Sequence, residues 1–144
     1  MRENVGCPRI LLADDFPPFL EQADESLRND YDIVGFAHDG GEALNLCLAL
    51  SPDILLLDLA MPVLRGLEVA ARLKELGCSS KIIFVTGQED HDYVEAAFSL
   101  DASGYVLKCR MAIDLVPAID AALEGSTFTS PFPARIGAKS PERR

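Results

Sequence analysis

Five short apolar runs, at residues 10–13, 33–37, 54–57, 82–85 and 105–107, alternate along the chain with five stretches of helical periodicity. Most of the runs are continuously apolar, the pattern of parallel strands covered on both faces. The first helical stretch places Phe16, Leu20, Ala23 and Leu27 on one face. The second covers about residues 41–50 and stops before Ser51-Pro52, since proline disfavours helix at the residue before it. The third carries Val69, Leu73 and Leu76 on one stripe, with Gly77 placed to end it. The fourth, about 89–100, opens on acidic residues that suit the helix dipole. The last, about 114–124, ends at Gly125 and has Pro117 in its first turn, where a missing N–H costs little. Strands and helices in strict alternation, joined by short connections, predict an α/β domain. Its core would be a doubly wound, five-stranded parallel sheet with right-handed crossovers.

The 144 residues fit one domain, and 49% apolar residues can fill its core. No apolar stretch approaches the roughly 18 residues that suggest a membrane span, and residues 1–6 lack the apolar segment of a secretory signal. The formal charge of −10 argues against direct nucleic-acid binding by the domain itself. Cys7, Cys47, Cys78 and Cys109 form no CxxC pair and have no histidine at zinc spacing. They read as reduced thiols of a cytoplasmic protein.

The chemistry lies where the runs end. Asp14 and Asp15 close the first, Asp58 the third, Thr86 the fourth and Lys108 the fifth. In an open parallel sheet, ligands bind outside the carboxyl ends of the strands. These groups are therefore expected to meet in one acidic pocket with an ammonium beside it. Asp14, Asp15 and Asp58 supply the oxygen ligands that Mg²⁺ prefers, and the Ala60 carbonyl can add another. Asp58, on a loop continuing through Ala60, Met61 and Pro62, is expected to be the most exposed of the three acids. A carboxylate can act as a nucleophile toward phosphorus and form an aspartyl-phosphate. The added charge would be met by the cation, the Lys108 ammonium and the Thr86 hydroxyl, since phosphoryl transfer asks mainly for positioning and neutralisation.

Each residue also has an ordinary reading. Asp15 could simply cap the helix that begins at Phe16, Asp58 could be a turn residue, and Lys108 a solvated lysine. Concurrence decides the matter, because acid pair, single acid, hydroxyl and lysine follow strands one, three, four and five in that order.

The chain resembles a response regulator receiver domain over residues 9–125. The resemblance rests on Asp14-Asp15 in LLADD, Asp58 in LLLDLAMP, Thr86-Gly87 in IIFVTG and Lys108 in GYVLK. It implies a flavodoxin-like (βα)5 fold, with the domain at 7–125 and a linker or flexible tail at 126–144. It also implies that Asp58 receives phosphate from a histidine kinase or a histidine phosphotransfer protein. Mg²⁺ would be held by Asp14, Asp15 and Asp58, Thr86 and Lys108 would sense the phosphate, and Tyr105 is similar to the family's aromatic switch residue. Ala60 and Gln88 occupy the positions that influence the lifetime of the phosphorylated state, and Cys109 stands where many relatives have proline.

Residues 114–131 resemble receivers that precede a LuxR-type helix-turn-helix domain, and the proline-marked basic stretch beyond them resembles an interdomain linker. A receiver taken from a longer transcription factor and a stand-alone receiver both fit, the first slightly better. Homodimerisation through the first and fifth helices, or through the fourth–fifth face, is what the family would allow. Rival classes fit less well. A flavodoxin-like cofactor binder needs a Ser/Thr/Gly-rich loop where this chain has Asp14-Asp15-Phe16-Pro17-Pro18. A phosphatase of the haloacid dehalogenase type needs its two acids one residue apart, not adjacent. A degenerate receiver, docking partners without phosphorylation, is the runner-up.

Overall fold

The apolar runs all become strands in the computed structural model, which describes residues 7–131. In chain order the elements are β1 (Arg9–Ala13), α1 (Pro17–Leu27), β2 (Asp32–Ala37), α2 (Gly40–Leu50), β3 (Ile54–Leu57) and α3 (Gly66–Glu75). There follow β4 (Lys81–Thr86), α4 (His91–Ser99), β5 (Gly104–Leu107), α5 (Met111–Leu123) and β6 (Phe128–Thr129). The strands pair in parallel in the order β2-β1-β3-β4-β5-β6. After β2 the chain crosses back over β1 to lay down β3, so β1 and β3 flank the topological switch point.

Continuous apolarity of the strands is explained by two cores, one on each face of the sheet. Leu11, Leu55, Leu57, Phe84 and Tyr105 point to the face covered by α2, α3 and α4. Ile10, Leu12, Ile54, Leu56, Ile83, Val85 and Val106 point to the other, where α1 and α5 supply Leu20, Leu27, Leu115 and Ile119. Among the described residues, no helix is long and apolar enough to cross a membrane.

The sheet has a sixth strand where five are expected. The residues after Gly125 begin as β6, paired with β5. Two residues carry little periodicity, which is why the segment reads as a tail. It is pinned by a buried polar cluster in which Ser130 Oγ donates to Asp114 Oδ2 (2.7 Å) and accepts from Leu107 N–H (3.1 Å). Arg110 Nε donates to the same Asp114 oxygen at 2.7 Å. The rest of the expected tail, residues 132–144 with its basic charges, lies outside the described residues, as do residues 1–6.

Two helix starts differ from expectation. α5 begins at Met111, after a 3₁₀ turn over Lys108–Arg110. Pro117 therefore lies inside the helix, not in its first turn. It is tolerated because it falls on the exposed face, and Ile113, whose carbonyl loses its partner, is itself exposed. Asp15 does not cap α1. The cap residue is Phe16 without a side-chain bond, and it is Asp14 Oδ1 that accepts from Phe16 N–H (2.9 Å).

The β3–α3 connection holds backbone strain. Val63 has φ of 74° and bridges a γ-turn in which Leu64 N–H donates to Pro62 C=O (2.9 Å). A β-branched residue there is an outlier, and left-handed strain costs of order 1–3 kcal/mol. Val63 is 76% exposed and forfeits little packing on truncation. Val63→Gly is therefore expected to raise stability by about 1 kcal/mol, after the entropic cost of glycine, as measured by urea unfolding.

Candidate functional site

Asp14 and Asp58 leave the carboxyl ends of neighbouring strands at the switch point. Asp58 N–H donates to Ala13 C=O (3.1 Å) and Asp14 N–H to Ala37 C=O (3.0 Å), so the sheet ladder itself aims both side chains. One carboxylate oxygen from each of Asp14, Asp15 and Asp58 lies within 4.8 Å of the others. Lys108 reaches in from the end of β5, with Nζ 2.7 Å from Asp14 Oδ2 and 3.3 Å from Asp58 Oδ2. Its ammonium also sits over the Phe19 ring, 4.6 Å from the centroid, a cation–π contact on α1 that no motif announces.

The expected order of exposure is corrected. Asp15 is the exposed acid, while Asp14 is fully buried and Asp58 is 6% exposed. Leu59 and Met61 are buried and draw the loop after β3 down onto the core, taking Asp58 with them. Burial, more than anything else, raises the Asp14 carboxyl above its usual range, with the Asp58 charge adding to it and Lys108 opposing it. Burial also works against the Lys108 charge, but Asp14 and Asp58 outweigh it and leave the ammonium harder to deprotonate than usual. Asp14 Oδ2 is buried, with the Lys108 ammonium 2.7 Å away as its counter-charge. An oxygen so placed, amid three carboxylates, fits the hard-oxygen donor set that Mg²⁺ takes. Ala60 lies on the rim of the same pocket, in a cavity it lines with Asp15, Met61, Pro62 and Arg65.

Thr86 and Tyr105 meet through one backbone unit. Gln88 N–H donates to Thr86 Oγ1 (3.3 Å), and Tyr105 Oη donates to Gln88 C=O (2.8 Å). Both side chains are buried, at 1% and 0% exposure. Burial, followed by the charges of Asp58 and Asp90, pushes the Tyr105 phenol well above its normal value, so it stays a donor. The Lys108–Arg110 turn that follows β5 does without proline, and no cis peptide occurs among the described residues.

The fold and the site are those of a doubly wound α/β signalling domain, with an acid cluster and a lysine gathered at the switch point of its parallel sheet. Residues 10–120 match the family model described as the response regulator receiver domain. The chain belongs to that family. It is 40% identical over 105 residues to the Bacillus subtilis transcriptional regulatory protein YvfU, covering 73% of this chain and 52% of that one. It is 34% identical over 123 residues to the Escherichia coli nitrate/nitrite response regulator protein NarL, covering 84% and 57%. A solved LuxR-family two-component response regulator from Aurantimonas superposes with a TM-score of 0.81 at 34% identity, covering 87% of this chain and 91% of that one. The chain is thus a receiver domain of the type found in NarL- and LuxR-type transcriptional regulators, a signalling domain and not a conventional enzyme. It spans about half the length of the curated relatives it matches.

Proposed function

We propose that Asp58 is the phosphoacceptor, receiving its phosphoryl group from a histidine kinase or a histidine phosphotransfer protein. The observation that carries this reading is the pocket itself, three carboxylates within 4.8 Å of one another with one ammonium paired to two of them. Asp14, Asp15, Asp58 and the Ala60 carbonyl would hold Mg²⁺, which supplies charge neutralisation for a phosphoryl oxygen. Asp58 presents the attacking oxygen. Lys108, already within reach of it, exchanges a carboxylate oxygen for a phosphoryl oxygen without leaving the pocket. Thr86 donates its hydroxyl to the phosphorylated side chain. Doing so pulls on Gln88, whose carbonyl anchors Tyr105, so the ring and the β4–α4 connection shift together. A new dianion thus biases a two-state element.

In this reading the receiver begins at residue 7 and extends past the expected boundary at 125 to take in β6 and Ser130. The signal passes to a transcriptional output domain or partner in the cytoplasm, with homodimerisation on phosphorylation. Any catalysis is limited to self-phosphorylation and self-dephosphorylation.

The test is intact-mass analysis after incubation with Mg²⁺ and acetyl phosphate. Wild type is expected to gain one phosphate only when Mg²⁺ is present, and Asp58→Asn is expected to gain none. Absence of any adduct on a wild-type chain that binds Mg²⁺ would instead favour a receiver that docks its partners without phosphorylation.

A further inference from the structure

Among the described residues outside the acid pocket, a pair of cysteine side chains is brought together from distant parts of the chain. Cys47, in the last turn of α2, and Cys78, in the loop from α3 to β4, have their sulfurs 4.0 Å apart. The pair lies where β3 and β4 begin, at the opposite end of the sheet from Asp58. We propose that Cys47 and Cys78 are a modification site, a dithiol that hydroperoxides oxidise to a disulfide.

Three features support the proposal. Cys47 and Cys78 line one cavity with Leu48, Ser51, Gly77 and Ser80, and Cys78 is partly exposed while Cys47 is buried. An oxidant can therefore reach Cys78 first, and Cys47 is held in reserve behind it. The two thiols also differ in reactivity. Burial opposes ionisation of Cys78, yet hydrogen bonds from the Ser80 side chain and backbone and from Cys47 bring its thiol below the ordinary value. Burial instead pushes the Cys47 thiol up to about 11, and its sulfur lies 3.6 Å from Ser80 Oγ. Finally, the sulfurs must close to roughly 2.05 Å for a bond. Cys78 sits just beyond Gly77, whose φ is 72°, in a connection with no regular structure before β4. The loop, not a helix, carries the sulfur that has to move.

The step balances. The Cys78 thiolate attacks the distal oxygen of the peroxide, and the released hydroxide or alkoxide takes a proton, leaving a sulfenic acid on Cys78. The Cys47 thiol then attacks that sulfur, its proton leaves with the hydroxyl as water, and the Cys47–Cys78 bond forms. Two thiols are oxidised and one peroxide is reduced. The thiolate is the species that reacts in the first step, and a neighbouring thiol resolves the sulfenic acid before further oxidation.

The test treats the full chain with hydrogen peroxide, in wild type and in a Cys7→Ser/Cys109→Ser background that removes the other two thiols. Both are expected to lose the mass of two hydrogens, to yield a linked peptide pair containing Cys47 and Cys78, and to revert with a reductant. The oxidised form is expected to melt on the order of 10 °C higher, since the bond closes a long loop. Cys47→Ser is expected to hold Cys78 as a sulfenic acid that dimedone traps. The proposal is overturned if Cys47 and Cys78 both remain alkylatable after treatment of folded wild type while Cys109 is oxidised. It is equally overturned if Cys78 proceeds to sulfinic acid with Cys47 still free. The wild-type mapping decides the matter even where a variant folds poorly.

Discussion

Gly66→Ala is expected to lower stability by about 3 kcal/mol and to disturb phosphate uptake together with it. Gly66 opens α3, and its N–H donates to Leu59 C=O at 2.9 Å. A Cβ at this position would stand 2.2 Å from the Asp58 carbonyl oxygen and 2.9 Å from Leu59 Cα. Both obstacles are backbone, so no side chain can swing aside. Either α3 retreats from its packing on Val69, Ala70 and Leu73, which are buried, or the Asp58–Leu59 strand end is displaced. Overpacking of this kind typically costs 1–3 kcal/mol, occasionally more, and for a domain of this size that is roughly 10 °C in melting temperature. Thermal unfolding followed by circular dichroism measures the first effect, and acetyl phosphate labelling of the surviving folded fraction measures the second. A variant that melts like wild type would show that the close approach of α3 to Asp58 is not maintained in solution.

Gly66 also marks where sequence reading stops. The five strands were legible because a parallel strand covered on both faces has no polar positions, so 10–13 and 54–57 stand out whatever surrounds them. The pocket was legible for a related reason. Strand ends are identifiable, a parallel sheet gathers its carboxyl ends along one edge, and polar residues at those ends must converge. Contacts across elements had no such marker. That Gly66 presses on the Asp58 backbone depends on how α3 docks, and no local pattern encodes docking. A position before a loop predicts an exposed Asp58, yet Leu59 and Met61 bury that loop. Asp114, read as the start of a helix, is a buried acceptor for Arg110 and Ser130. Its carboxyl is held below the usual range chiefly by Arg110. Ser130 is supplied by a strand too short to show a period.

Asp14→Asn is expected to stabilise the metal-free protein while sharply reducing its response to Mg²⁺. Asp14 is buried beside a second carboxylate, and burial raises its carboxyl above the ordinary range. For a carboxyl raised on folding, the folded state favours the protonated form. The penalty is therefore absent well below pH 3.8, the ordinary value, grows as pH rises toward the folded-state value, and is fully imposed above it. At neutral pH, above the ordinary value, the wild-type chain bears such a penalty. An asparagine keeps the side-chain oxygen that accepts from Phe16 N–H and removes the charge, and Lys108 retains Asp58 as its partner. A gain of about 1–2 kcal/mol in EDTA is the expected result, the range usual for substitutions that relieve a residue held for function. In the proposed site, Mg²⁺ would offset the same repulsion by binding the folded state only, adding about 2.7 kcal/mol at a hundredfold excess over its dissociation constant. The variant has lost one of the anionic ligands and should gain far less. Urea unfolding of both chains at pH 7, with Mg²⁺ and with EDTA, separates the effects. If Asp14→Asn were less stable than wild type in EDTA, the Lys108–Asp14 pair would outweigh the desolvation of the acid. The pocket would then be a structural ion pair before it is a metal site.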